Sequence, residues 1–202
     1  MKPFVVNLAI IASLMIIPAL IVSNKASAKL KNTYSCGPAD DYFSQDSSKA
    51  DTTGTVKVFE NIKALAGDWV GTFKWSGGRS AQGKMDAKYY VTGNGTAVVE
   101  DLLMDGKPMM TSVYHLDGSA LRMTHYCAAG NQPRLKMSKI DEGQRSVQFD
   151  FVDATNMASP DAAHVHGLAL QFVDDGHITL IFTFRKAGAD SYEQIELARP
   201  HS

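Results

Sequence analysis

Val113-Tyr114-His115-Leu116-Asp117-Gly118-Ser119-Ala120-Leu121-Arg122-Met123-Thr124-His125-Tyr126-Cys127 is the stretch on which the fold turns. Polar and apolar residues alternate on both sides of Asp117-Gly118, which is the period of half-buried strands. A connection this short joins only antiparallel neighbours. In the second run Leu121, Met123, His125 and Cys127 share one face, and Arg122, Thr124 and Tyr126 take the other. The hairpin therefore offers one imidazole and one thiol on an otherwise apolar face, with Tyr114 on the paired strand.

The same pattern extends in both directions. Strand-like segments fall at 68–75, 85–92, 96–104, 108–116, 120–127, 134–140, 146–152, 165–173, 177–184 and 192–197. Gly93-Asn94-Gly95, Asp105-Gly106, Asp117-Gly118, Asp141-Glu142-Gly143 and Asp174-Asp175-Gly176 mark turns between them. Ahead of the first strand, Val56, Phe59, Ile62 and Leu65 recur at helical spacing until Gly67, so a short helix is expected over 55–66. A meander of about ten strands must close or leave edges exposed. The expected fold is all-β, an antiparallel up-and-down barrel with a short N-terminal helix over 55–199; an open sandwich is the alternative.

Inward faces follow from the period of two. Trp69, Gly71, Phe73 and Trp75 form one, and Ile178, Leu180, Phe182 and Phe184 another. The methionines at 85, 104, 109, 110, 123, 137 and 157 add a soft, adaptable lining. Two readings stand open: a hollow barrel for an apolar or amphipathic ligand, or a collapsed core.

The N-terminus speaks to compartment. Lys2 precedes an apolar run from Phe4 to Ser23, and Ala26-Ser27-Ala28 supplies the small residues of a signal-peptidase site, so 1–28 read as a removable export signal. An uncleaved anchor is the rival, since the run approaches the roughly 20 residues that span a bilayer. Export would place the mature protein in a periplasm or outside the cell, with no membrane attachment after cleavage.

Residues 29–54 are rich in Ser, Asp, Lys, Thr and Gly without apolar period and read as a mobile arm. The chain has 20 basic and 21 acidic side chains; Lys2 and Lys25 leave with the signal, and a balance of about minus three argues against a nucleic-acid partner. Cys36 and Cys127, an even pair in an oxidising compartment, suggest a disulfide worth about 4 kcal/mol in the chain-entropy model; two independent thiols are the other reading.

Leu65-Ala66-Gly67-Asp68-Trp69-Val70-Gly71 resembles the Gly-x-Trp signature that opens the first strand of lipocalins and related calycin barrels, including the haem-binding nitrobindins. The resemblance implies that Trp69 closes one end of the barrel against an Arg beyond the last strand, for which Arg199 is placed. The 113–134 region is similar to a family of uncharacterised bacterial secreted proteins of lipocalin-like fold, which implies a fold and no activity.

Candidate ligand-binding residues are His125, Tyr114, Trp69, Phe73 and Met123, facing a small apolar or amphipathic molecule. The alternatives are a haem or metal held by His125 or by His164 and His166, and an enzyme acting on a cavity-bound substrate. Asn131 and Gln132 are expected to cap the turn after Gly130. No linear pattern names a cofactor, a metal set or a catalytic residue: Gly-x-Ser-x-Gly, His-Glu-x-x-His and Cys-x-x-Cys are all missing.

Overall fold

The computed structural model describes residues 52–200. Helix α1, Thr52–Lys63, begins before the expected helix and ends before it. Thr55, Val58, Phe59 and Ile62 point into the molecule at the spacing of one helix face. The strands are β1 Gly67–Ser76, β2 Gln82–Lys84, β3 Asp86–Thr92, β4 Ala97–Met104, β5 Lys107–Asp117, β6 Ala120–Tyr126, β7 Gln132–Asp141, β8 Ser146–Thr155, β9 His164–Phe172, β10 His177–Lys186 and β11 Ala189–Ala198.

β1 pairs antiparallel with β3, each strand from β3 on pairs antiparallel with the next, and β1 pairs with β11, so β1 and β3 through β11 close a ten-stranded barrel. The expected fold is the observed one. The short β2 was not legible: Gln82-Gly83-Lys84 has no apolar alternation, and it pairs with β1 as an extension of β3. The expected turns fall in the connections. Asp105 and Gly106 both adopt positive φ, 53° and 72°, as a tight hairpin twisting with its strands requires.

Chain direction sorts the connections into two ends. The α1–β1 junction and the β3–β4, β5–β6, β7–β8 and β9–β10 turns lie at one end, and the remaining connections at the other. Helix α1 packs on β3, β5 and β6 and seals the first end with Val58, Phe59 and Ile62.

The inward faces read from the sequence are the buried ones on β1, β6 and β10. Met109 and Met157 are exceptions: Met109 is exposed on the outer face of β5 beside the inward Met110, and Met157 lies in the β8–β9 connection. Leu102, Leu121, Met123, Leu135, Phe149, Leu168, Leu170, Leu180 and Ile195 are each 0% exposed. A void large enough for water would leave its lining accessible, so the middle of the barrel is filled around these side chains.

Candidate functional site

Five polar side chains lie inside this apolar interior. Glu100 is on β4 between the inward Val98 and Leu102, and β4 lies between β3, which carries Tyr89, and β5, which carries Ser112 and Tyr114. Register sets Glu100 opposite Tyr89 and Ser112, and Ser112 opposite His125 on β6. Tyr89 and Tyr114 donate to Glu100 Oε2 at 2.7 and 2.9 Å. Ser112 donates to Oε1 at 3.1 Å, and its Oγ lies 3.0 Å from His125 Nδ1.

Burial pushes the Glu100 pKa above its ordinary value against the pull of these three donors, and burial with the neighbouring carboxylate pushes both tyrosines well above 10.0. Burial alone lowers His125 to about 4, so its ring is neutral at physiological pH. With Ser112 donating to Glu100, His125 carries its proton on Nδ1 and donates to Ser112. Its Nε2 is left with a lone pair and no hydrogen-bond partner, beside the Phe182 ring at 5.2 Å between centroids.

The sequence-stated candidates divide between levels of the barrel. His125 and Tyr114 belong to the polar network, joined through Ser112 and Glu100, and Met123 fills the interior next to them. Trp69 sits at the α1 end: its indole donates to the Leu65 carbonyl at 2.8 Å, and the Arg199 guanidinium lies 4.3 Å above its ring. That is the Trp–Arg contact the calycin resemblance implies. Phe73 is half-buried toward the opposite end. Tyr89, Glu100 and Ser112 were not among the candidates. A signal for Glu100 exists, a carboxylate in phase with Val98 and Leu102 on an otherwise apolar face.

Cys127 is buried, and its Sγ accepts from the Ala129 amide at 3.4 Å. Burial raises its pKa, so the thiol form predominates. The Cys36–Cys127 bridge, the export signal and residues 29–51 of the arm lie outside the described residues; residues 52–54 begin α1. Asn131 does not cap its turn. It is buried and donates to the Ala163 carbonyl of the β8–β9 connection at 2.8 Å.

His164 and His166 do come together, with Nε2 and Nδ1 3.1 Å apart and both rings against Phe151. Their remaining nitrogens meet the Ala162 carbonyl and Arg185, which itself grips Asp190 with two bonds. Among the described residues no group of three or more His, Cys, Asp or Glu side chains is arranged to hold a metal ion.

The end opposite α1 carries a second group of polar side chains. Register aligns Glu193 with Trp75 on one side and Phe182 on the other, and Glu193 is 5% exposed. Burial raises its pKa to about 7, although the Arg79 charge and the Trp75 indole both favour ionisation. A cleft of about 910 Å³ lies at the α1 end, between α1, the β7–β8 turn and the β9–β10 turn. Val58, Leu65, Val147 and Phe172 form its apolar floor, and Lys57, Asp141, Arg145 and Asp175 stand at its rim.

No protein-family model matches this chain, and no curated protein matches it. Among solved structures, the crystal structure of Rv2717c from M. tuberculosis superposes with a TM-score of 0.52 at 14% identity, over 71% of this chain and 97% of that one. A DUF3598-family protein of unknown function from Nostoc punctiforme gives a TM-score of 0.40 at 11% identity, and the match spans 69% of this chain and about half (49%) of that protein. The likeness to Rv2717c is one of fold, a closed antiparallel barrel, and extends no further.

Proposed function

We propose that this is an exported barrel that binds a small amphipathic molecule in the cleft between α1 and the β7–β8 and β9–β10 turns. The cleft carries this reading. Its volume of about 910 Å³ suits a small-molecule site, and an apolar floor under a charged rim suits a molecule with a tail and a polar head. The middle of the barrel is filled, so we place the proposed site at this end rather than in the hollow centre that one of the two sequence readings expected. Export rests on the 1–28 segment.

A haem or metal at His125 has no comparable support, since Phe182 and the filled interior surround its free nitrogen. The histidine pair likewise has its nitrogens engaged. The Glu100–Ser112–His125 chain has the residue types of a hydrolase, yet Ser112 is fully buried and held by Glu100, so no substrate carbonyl reaches its oxygen. The network fits a role in fixing the register of β3 to β6.

A fluorescent naphthylamine probe titrated into the protein tests the cleft. Asn61→Trp and Ile140→Asp alter its wall at exposed positions and should leave the fold intact. Each should weaken probe binding about tenfold, which is about 1.4 kcal/mol. Unchanged affinity in both variants rejects the site.

A further inference from the structure

We propose that the rings of Trp75 and Phe184 and the carboxylate of Glu193 form a binding site for a small organic cation with a planar, guanidinium-like head, covered by Arg79 when the site is empty. This is a second site at the opposite end of the barrel, and it does not depend on the cleft.

The walls are built by register. Trp75 ends the inward face of β1, Phe184 lies on the inward face of β10, and their rings meet edge to face at 5.7 Å and 85°. The Arg79 guanidinium lies 3.7 Å from the Trp75 centroid and 5.0 Å from that of Phe184. Both distances are within reach of a cation–π attraction, which operates best over indole. A planar cation therefore already has a demonstrated seat on these two rings.

Beneath it, Glu193 is almost wholly buried and faces the same space from β11. Arg79 reaches Glu193 only through space, as it stacks on the rings instead of forming an ion pair. A buried carboxylate with so incomplete a counter-charge favours any cation that can enter more deeply. Phe73, Met104 and Met110 are half-buried around this end and supply apolar surface for a short alkyl tail.

Arg79 is suited to leave. It is exposed, and it follows Gly77 and Gly78, whose φ values of 71° and 88° belong to the left-handed region. A Cβ at Gly77 would crowd the Asp190 and Ser191 backbone, whereas one at Gly78 would touch nothing, so the chain is held at Gly77 and uncrowded from Gly78 on. The Trp75 amide bonds the Ala81 carbonyl at 2.8 Å and pins the two ends of the loop. Residues 78–80 can swing while Ser76 stays paired with Tyr192, and a cationic ligand competes with the protein's own side chain for the rings.

Calorimetric titration with n-butylguanidinium at pH 8, with n-butylurea as the neutral isostere, tests the site. The cation should bind Arg79→Ala about tenfold more tightly than the wild type, because the internal competitor is gone. Glu193→Gln in that background should remove most of the affinity, and butylurea should bind neither protein. Arg79→Ala loses the ring contacts and the partial counter-charge to Glu193, so it should melt below the wild type but still in one cooperative transition, and thermal denaturation verifies that the fold is kept. Equal binding of cation and urea, no gain in Arg79→Ala, or no binding to either protein overturns the proposal. Failure here leaves the probe titration of the α1 cleft unaffected, and the reverse holds.

Discussion

Glu193 and His125 are buried groups whose titrations act on stability in opposite directions. An unfolded Glu loses its proton near 4.5, whereas Glu193 in the barrel holds its own to about 7. Between these values the folded state binds more protons, so stability falls as pH rises. By pH 8 the ionised carboxylate costs on the order of 3 kcal/mol. His125 runs the other way: its pKa drops from 6.5 to about 4, the folded state binds fewer protons, and stability rises with pH through that window. The two slopes largely cancel between pH 4.5 and 6.5. Glu193→Gln removes one of them, so the variant should match the wild type near pH 4 and exceed it by a few kcal/mol at pH 8. Urea melts across this range measure the gap; a gap that stays constant with pH rules out a buried, reluctant carboxylate at 193.

Among the elements, the Arg199 side chain ties the end of β11 to the residues that follow α1. Arg199 follows β11 and donates through Nη1 to the Ala66 carbonyl at 2.8 Å and through Nη2 to the Ala64 carbonyl at 2.9 Å. These carbonyls lie just past the C-terminus of α1, where a cation is favourably placed. The same guanidinium covers Trp69, which in turn donates to Leu65 and meets Tyr89 edge to face at 6.3 Å. Arg199→Ala should cost about 1–3 kcal/mol and shift Trp69 emission to the red, because a buried ring loses its cover. Arg199→Lys should recover less than half of that, since an ammonium cannot fork to two carbonyls while lying flat on a ring. Thermal unfolding followed by tryptophan emission reads both effects, and full rescue by Lys would show that charge alone matters. The strands themselves were legible because alternation needs only local sequence. Trp69 and Arg199, 130 residues apart, were joined through the motif resemblance. The Glu100 network and the Trp75–Arg79–Glu193 group were missed because each draws on three or more elements, and their pairing depends on a register that no single strand carries.

At the scale of the molecule, closure depends on joining two segments from opposite ends of the domain. Val70 to Ser76 of β1 pair with Tyr192 to Ala198 of β11, and this seam turns an eleven-stranded meander into a barrel. Gly71 is a close approach within it. It sits opposite Leu197, where β1 passes from its β3 partners to β2, and the Met85 amide bonds its carbonyl at 3.1 Å. A Cβ at this position would collide with the Glu196 carbonyl oxygen and crowd the Leu197 side chain. The carbonyl is backbone within a ladder, so relief requires the strands to separate rather than a rotamer to change. Gly71→Ala should therefore destabilise by more than about 3 kcal/mol, and Thr72→Ala, one residue on and facing solvent, should stay within about 0.5 kcal/mol. Amide exchange separates seam opening from general weakening. If closure is the vulnerable step, β1 and β11 lose protection in Gly71→Ala more than the β5–β6 hairpin, whose two-residue turn keeps its strands together when the ring opens. Equal loss in both places would mean that the barrel opens as one cooperative unit, and wild-type stability in Gly71→Ala would contradict the close approach at the seam.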